Sequence, residues 1–219
     1  MSRRSKFSEA QIIDATAALV AGGGPGAATI GAIGALLDAP SGSIYHRFPS
    51  RDTLLGRLWL SKAASFQNNF VAALAEEDPV AAGLAGALSV PRGARADFPG
   101  ARIMLLHRRQ DFLDAGWPAD LRAEARRLTQ QIDEALHRTT RRLFGRVSAR
   151  TSRITSFAVL DVAFAAVRRH VAANEPPPPA VDRLIETAYL AVIDAERGLR
   201  PAEPRRRPHA AGDSAKRLT

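Results

Sequence analysis

Asp38-Ala39-Pro40-Ser41-Gly42-Ser43-Ile44-Tyr45-His46-Arg47-Phe48-Pro49-Ser50-Arg51-Asp52-Thr53-Leu54 is the stretch on which the fold turns. Two breaks, Asp38-Ala39-Pro40 and Pro49-Ser50-Arg51-Asp52, bracket a segment with room for one short helix. Ile44 and Phe48 lie four apart and form its apolar side. Ser41, Ser43, Tyr45, His46 and Arg47 occupy the other side. Gly42 carries no side chain, so a partner can approach the backbone closely there. Just upstream, Thr29 caps a second short helix with Ile30, Ile33 and Leu37 facing inward. Two short helices separated by three or four residues match the spacing of a helix-turn-helix. In that arrangement the first helix crosses the DNA backbone and the second enters the major groove. Tyr, Ser and His bond phosphate oxygens, and Arg47 reads a guanine edge or pairs with a phosphate.

Working outward, the pattern stays helical. Ser8 and Gln11 form a capping box, with Phe7 and Ile12 stapled around it. Ile12, Ala15, Leu19 and Val20 then make one stripe, and Gly22-Gly23-Gly24-Pro25-Gly26 stops the helix. Ser50 caps a long helix carrying Leu54, Leu55, Leu58 and Phe66. From about Asp78 the chain remains helical, with Pro79, Pro91, Pro99, Pro118 and Pro176 to Pro179 expected at the joints. The longest helix is expected near Ala119–Phe144, closed by Gly145, followed by helices near 149–174 and 180–198. The expectation is an all-α fold of about nine helices. A DNA-binding head spans 1–50 and a helical ligand-binding and dimerisation body spans 51–200. The basic tail 201–219, with Arg205-Arg206-Arg207, is expected to be disordered.

Composition narrows the classes. The net charge of +9 suits a polyanionic partner, but a general preference for Arg, with Lys only at 6, 62 and 216, accounts for it equally well. Cysteine is absent, which rules out disulfides and thiolate metal sites and suits the cytoplasm. No long uncharged apolar run suggests a membrane span, and no apolar run follows the basic N-terminus as a signal peptide requires. The glycines at 22–26 lack the Gly-Lys-Ser/Thr ending of a phosphate loop. His107 lies near Arg108, Arg109 and Asp111, while His137 and His170 stand beside arginines, and none shows the spacing of a catalytic constellation. No enzyme activity, metal or cofactor is expected.

The run Gly42-Ser43-Ile44-Tyr45-His46-x-Phe48-Pro49-Ser50-Arg51, set within Phe7 to Leu55, resembles the TetR family of one-component regulators. The resemblance covers about a quarter of the chain. It implies a three-helix head, a body of six or so helices, and a homodimer joined through the last two body helices. It also implies an internal effector pocket whose occupancy changes the separation of the heads, with repression as the output. By the family pattern Tyr45 and His46 meet the DNA backbone, while Thr29 and Arg51 meet phosphates at helix starts. Arg3, Arg4 and Lys6 follow the phosphates or enter the minor groove. Pro40 departs from a usual capping Ser or Thr, Asp38 from a usual glycine, and Arg47 from a usual aromatic or polar residue.

The large groups of the body are Phe66, Phe70, Met104, His107, Phe112, Trp117, Phe157 and Phe164. Both core packing and pocket lining fit them. Asp161 stands in an otherwise apolar segment, facing an arginine, a cationic effector or solvent. Leu184, Ala188, Ala191 and Ala195 form a stripe of mostly small residues, and Phe157, Leu160 and Phe164 give the preceding helix an apolar face. Two such helices from each of two subunits make a four-helix interface, although burial within one subunit fits the same pattern. The expected partners are palindromic double-stranded DNA, a second copy of the chain and an unidentified small-molecule effector, with no membrane. The expected function is a repressor released from its operator by that effector. The rival readings are a helical enzyme or ligand-sequestering protein with a merely structural hairpin, and a nucleoid-type binder using charge alone.

Overall fold

The computed structural model describes residues 7–112 and 117–198, and the basic residues at 3, 4 and 6 and the tail 201–219 lie outside this range. Nine helices and no strand are found among the described residues. Helix α1 (Glu9–Gly23) begins at Ser8 with the expected capping box. Ser8 N–H donates to Gln11 Oε1 at 2.8 Å, and Gln11 N–H donates to Ser8 Oγ at 3.2 Å. A 3-10 turn, Pro25–Ala27, leads to α2 (Ile30–Leu37), capped by Thr29, and then to α3 (Ser41–Tyr45). Helix α4 (Arg51–Ala73) is capped by Ser50.

The body continues with α5 (Pro79–Ala96), α6 (Phe98–Leu106) and a 3-10 turn, Arg109–Phe112. Helix α7 (Ala119–Phe144) ends at Gly145, which adopts φ 70°. Helix α8 covers 149–172 as one rod of three parts: Ala149–Ser156, a π turn at Phe157–Asp161, and Val162–Ala172. Helix α9 (Ala180–Arg197) closes the body.

Pro79 and Pro99 open their helices and Pro118 precedes α7, as their fixed φ favours. Pro91 does not mark a joint. It lies inside α5 with its ring buried. A proline inside a helix costs about 3 kcal/mol through its missing N–H and its clash with the preceding turn. Here α5 is packed against α4, α6, α7, α8 and α9, and that burial outweighs the local preference. The π turn in α8 also has no counterpart in the helical pattern, because one inserted residue barely disturbs the spacing of Val159, Ala163 and Val167.

The head and body share a core. Ile12, Val20, Ile33, Ile44 and Phe48 cluster with Leu54, Leu55 and Leu58 of α4, and with Ile103 and Phe112 further along the chain. A cut at residue 50 would therefore pass through one packed unit. Within the body, Ala87, Ala101, Ala163, Val167, Val171, Val181 and Ile185 pack α5, α6, α8 and α9 together. A second cluster joins Phe70, Leu74, Ala135, Leu143, Val159, Tyr189 and Ile193. Tyr189 fits over Gly83, where an added Cβ would lie 2.1 Å from its hydroxyl oxygen, and its hydroxyl donates to the Val80 carbonyl at 2.9 Å.

Candidate functional site

The turn between α2 and α3 is built by close backbone approach. Asp38 adopts the left-handed conformation, φ 50° and ψ 46°, in the place where glycine was the expected residue. Ala39 N–H donates to the Gly34 carbonyl at 2.9 Å. A Cβ at Gly34 would lie 2.8 Å from the Ala39 carbonyl oxygen, so the turn folds back where a side chain would stand. Pro40, with φ −59°, precedes α3 without a side-chain cap, and its carbonyl accepts from Ser43 N–H at 2.9 Å.

This turn gives α3 two unlike sides. Ile44 is fully buried and Phe48 is 3% exposed. Ser41, Gly42, Tyr45 and His46 are exposed, while Ser43 and Arg47 are half-buried. Nothing lies within 4 Å of the position a Cβ would take at Gly42. Thr29 is exposed at the start of α2, where its hydroxyl oxygen accepts from Ala32 N–H at 3.1 Å. That bond uses the hydroxyl oxygen as an acceptor, at the positive end of the helix dipole.

Arg51 is turned the other way. Its Nε donates to the Ala28 carbonyl at 2.9 Å, and its Nη2 donates to the Pro25 carbonyl. The guanidinium therefore anchors the turn before Thr29 to the start of α4 instead of projecting from the surface. A polar pair at sequence distance 23 left no signal in any local spacing.

The body contains a cavity of about 660 Å³ between α4, α5, α6, α7 and α8. Of the anticipated residues it brings together Phe66, Phe70, Met104, Asp161 and Phe164, along with Leu160. Trp59, Ala63 and Ile132 also line it and were not anticipated. Trp59, Ala63, Phe66 and Phe70 follow one stripe of α4 at helical spacing, which was a legible signal.

Its polar lining is sparse. Gln67 donates its amide to the Leu128 carbonyl at 2.7 Å, and Ser89 donates its hydroxyl to the Gly86 carbonyl at 2.7 Å. Asp161 and Arg168 are both exposed, so they stand at the rim. The interior is accordingly apolar, with charge confined to its opening.

Four of the anticipated pocket residues lie elsewhere. His107 meets Phe112 edge-on, with centroids 6.2 Å apart, and its ring lies beside Gly24 at the junction of head and body. Phe112 is buried in the shared head core. Trp117 is buried edge-on against Trp59 at 5.7 Å, with the Arg109 guanidinium 5.5 Å from its centroid. Phe157 is 49% exposed on the outside of α8. Aromatic content alone did not distinguish these surroundings from a cavity wall.

The stripe on α9 faces outward. Leu184 is 63% exposed, Ala191 and Ala195 are exposed, and Ala188 is half-buried. With Phe157 and Phe164 also exposed, the last two helices present large apolar groups that the protomer itself does not cover.

Residues 12–58 match the family model described as bacterial regulatory proteins, tetR family. No curated protein sequence matches the chain. The fold is shared with several solved structures. The fatty acid degradation regulator FadR from Bacillus halodurans is 16% identical, with a TM-score of 0.63 over 85% of this chain and 98% of that one. FadR from Bacillus subtilis in complex with stearoyl-CoA is 13% identical, with a TM-score of 0.65 over 85% and 98%. SmeT, the repressor of the Stenotrophomonas maltophilia multidrug efflux pump SmeDEF, is 16% identical, with a TM-score of 0.63 over 94% and 100%.

Proposed function

We propose that this chain, whose head and fold are those of a TetR-family transcriptional regulator, acts in the cytoplasm as a homodimeric repressor. It binds a palindromic operator and releases it when a largely apolar effector enters the body cavity. The observation that carries this reading is the division of α3, with Ile44 and Phe48 buried behind an exposed face of Ser41, Gly42, Tyr45 and His46. A groove-reading helix needs that division, because one side must hold it to the head while the other meets polar DNA.

Tyr45, His46, Ser41, Ser43 and Thr29 supply phosphate contacts, and Arg47 supplies a phosphate or base-edge contact. Arg3, Arg4 and Lys6, just before α1, add charge along the DNA backbone. Arg51 acts from behind by holding the turn that presents Thr29. The exposed apolar groups of α8 and α9, Phe157, Phe164 and Leu184, pair with those of a second copy. Such a dimer presents its two recognition helices about 34–36 Å apart, one turn of DNA.

The cavity suits an effector whose apolar body fills the interior and whose polar end meets Asp161 or Arg168 at the rim. One fold neighbour, FadR from Bacillus subtilis, was solved in complex with stearoyl-CoA, which supports a ligand with a long apolar part. An effector that prefers a different head spacing weakens DNA binding by its differential affinity for the two arrangements.

The test footprints the protein on the DNA upstream of its gene and compares any palindromic segment protected there with random duplex at fixed salt, using fluorescence anisotropy. The wild-type dimer should prefer the palindrome. Replacing Tyr45 and His46 together by Ala removes two exposed side chains and should leave stability within about 0.5 kcal/mol. The dimer loses four contacts, two from each protomer, and at about 0.5–1 kcal/mol each operator binding should weaken roughly thirtyfold to a thousandfold. Unchanged affinity in that variant would refute the contact assignment. Equal wild-type affinity for both duplexes would favour a charge-only binder, and binding to neither would favour a sequestering protein.

A further inference from the structure

Three helices meet at one guanidinium. Arg102 stands on α6 and is half-buried. Its Nε donates to the Ala21 carbonyl in the last turn of α1, at 2.7 Å. Its Nη1 donates to the Val171 carbonyl at 3.1 Å and to Asn174 Oδ1 at 2.7 Å, both at the C-terminal end of α8. Arg102 therefore adds polar bonds to both the head and one of the two proposed dimer helices, beyond the packing that α6 already makes with each.

Two features suit this site to a cation. Helix C-termini carry carbonyls without intrahelical partners and the negative end of the helix dipole. The last turn of α1 contains no basic residue of its own, so Arg102 supplies one from another element. Asn174 is held at φ 60°, and its N–H donates to the same Val171 carbonyl at 3.1 Å. Its side chain is thereby presented to Arg102 from a fixed backbone.

The placement of Arg102 on α6 gives the tie its consequence. Ala101, Met104 and Leu105 of this short helix line the cavity. Ile103, next to Arg102, is buried in the shared head core. One helix thus touches the cavity on one side and the head on another. A displacement of about 1 Å takes hydrogen bonds of this length beyond their useful range, so the tie is sensitive to small movements of α6 and the head relative to α8.

We infer that Arg102 is the positioning residue that sets the direction of the DNA-binding head relative to α8, and that α6 brings this tie within reach of cavity occupancy. The inference rests on the proposed reading of α8 and α9 as the dimer helices. The planar fork of Arg fits it for the role, whereas Lys offers a single point charge on a flexible stem.

The chain has no cysteine, so introduced cysteines take spin labels selectively. Ala18 on α1 and Arg153 on α8 are both exposed. Ala18→Cys alone reports the distance between the heads of a dimer. Ala18→Cys with Arg153→Cys, diluted into unlabelled chain, reports the distance from head to α8 within one protomer. Pulsed dipolar spectroscopy on the full chain should give a narrow within-protomer distribution. Arg102→Met should broaden and shift it. Asn174→Gly, which keeps the left-handed backbone and removes one acceptor, should do so to a smaller extent. Melting of the body followed by circular dichroism should remain a single cooperative transition in both, and operator affinity should fall.

A within-protomer distribution in Arg102→Met identical to the wild type would overturn the inference. Should that variant not fold, Arg102→Lys and Asn174→Gly stand under the same criterion. Absence of an interprotomer signal in the wild type would refute the dimer reading and with it the regulatory consequence, while the within-protomer pair still decides whether Arg102 holds the head.

Discussion

Two glycines in α2 present the same substitution with opposite expected signs. An alanine stabilises a helix by about 0.5–1 kcal/mol relative to glycine, because glycine loses more backbone freedom on folding. At Gly31 nothing lies within 4 Å of the added Cβ, so Gly31→Ala should keep that gain. At Gly34 the Cβ would lie 2.8 Å from the Ala39 carbonyl oxygen and 4.0 Å from Ile44 Cδ1. The oxygen belongs to the backbone of the turn, so no side-chain rotation relieves the overlap. The turn must move away from α2, and α3 moves with it. Overpacking of this kind costs about 1–3 kcal/mol, which exceeds the helix gain. Gly34→Ala should therefore be about 1–3 kcal/mol less stable than Gly31→Ala. For a chain of this size that corresponds to melting temperatures roughly 2–12 °C apart. Thermal and urea unfolding give the stability difference, and anisotropy with the protected operator segment reports the position of α3. Operator affinity should fall in Gly34→Ala more than its stability loss explains. Equal stabilisation by both substitutions, with operator binding intact in Gly34→Ala, would refute the claim that backbone contact at the turn fixes the recognition helix.

The remaining expectations concern the body. Leu184→Glu places a charge on a side chain that is 63% exposed in the protomer, so sedimentation should show a monomer whose helical content is unchanged. An unaltered dimer would remove α9 from the interface. Ala63→Phe adds a ring to the cavity wall and should weaken binding of the apolar fluorophore anilinonaphthalene sulfonate to the full-length protein by about tenfold, the scale of a lost 1.4 kcal/mol. Equal emission titrations for both proteins would place the probe elsewhere. Tyr189→Phe should cost about 1 kcal/mol, because the Val80 carbonyl loses its donor. Burial also pushes the Tyr189 phenol above its usual range. Since the folded state then resists ionisation, its contribution is complete below about pH 10 and declines as pH rises past that value. Unfolding measured from pH 8 to 11 should show a steeper alkaline decline in the wild type than in Tyr189→Phe.

The parts of the fold legible in sequence were those governed by local chemistry. Ser8 with Gln11, Thr29, Ser50 and the glycine at 145 marked helix ends because capping depends on residues three or four apart. The two sides of α3 were legible for a similar reason, since the spacing of Ile44 and Phe48 defines a buried stripe directly. Pro91 reads locally as a joint, because the contacts that offset its cost come from helices distant in sequence. The internal bonds of Arg51 and Arg102 were not legible, because their acceptors lie 23 to 26 and 69 to 81 positions away. The cavity was half legible. Phe66 and Phe70 fell on its wall and Phe112 and Trp117 did not, a distinction made by how helices are placed and not by the character of any one side chain.

The shared core constrains how any signal can travel. A hinge at residue 50 would require the head to turn against α4, yet Leu54, Leu55 and Leu58 are buried with Ile33 and Ile44. Exposing even one such side chain costs on the order of 1.5–3 kcal/mol, so the head moves together with the first turns of α4. Ile103 and Phe112 extend the same argument to α6 and the 3-10 turn that follows it. Trp59 packs against this head core and also lines the cavity. The moving unit is therefore larger than the DNA-binding segment and reaches the cavity wall. On the proposed reading, the wall that an occupant would press on and the head that would meet DNA are built on the same helices, and Arg102 joins that unit to α8.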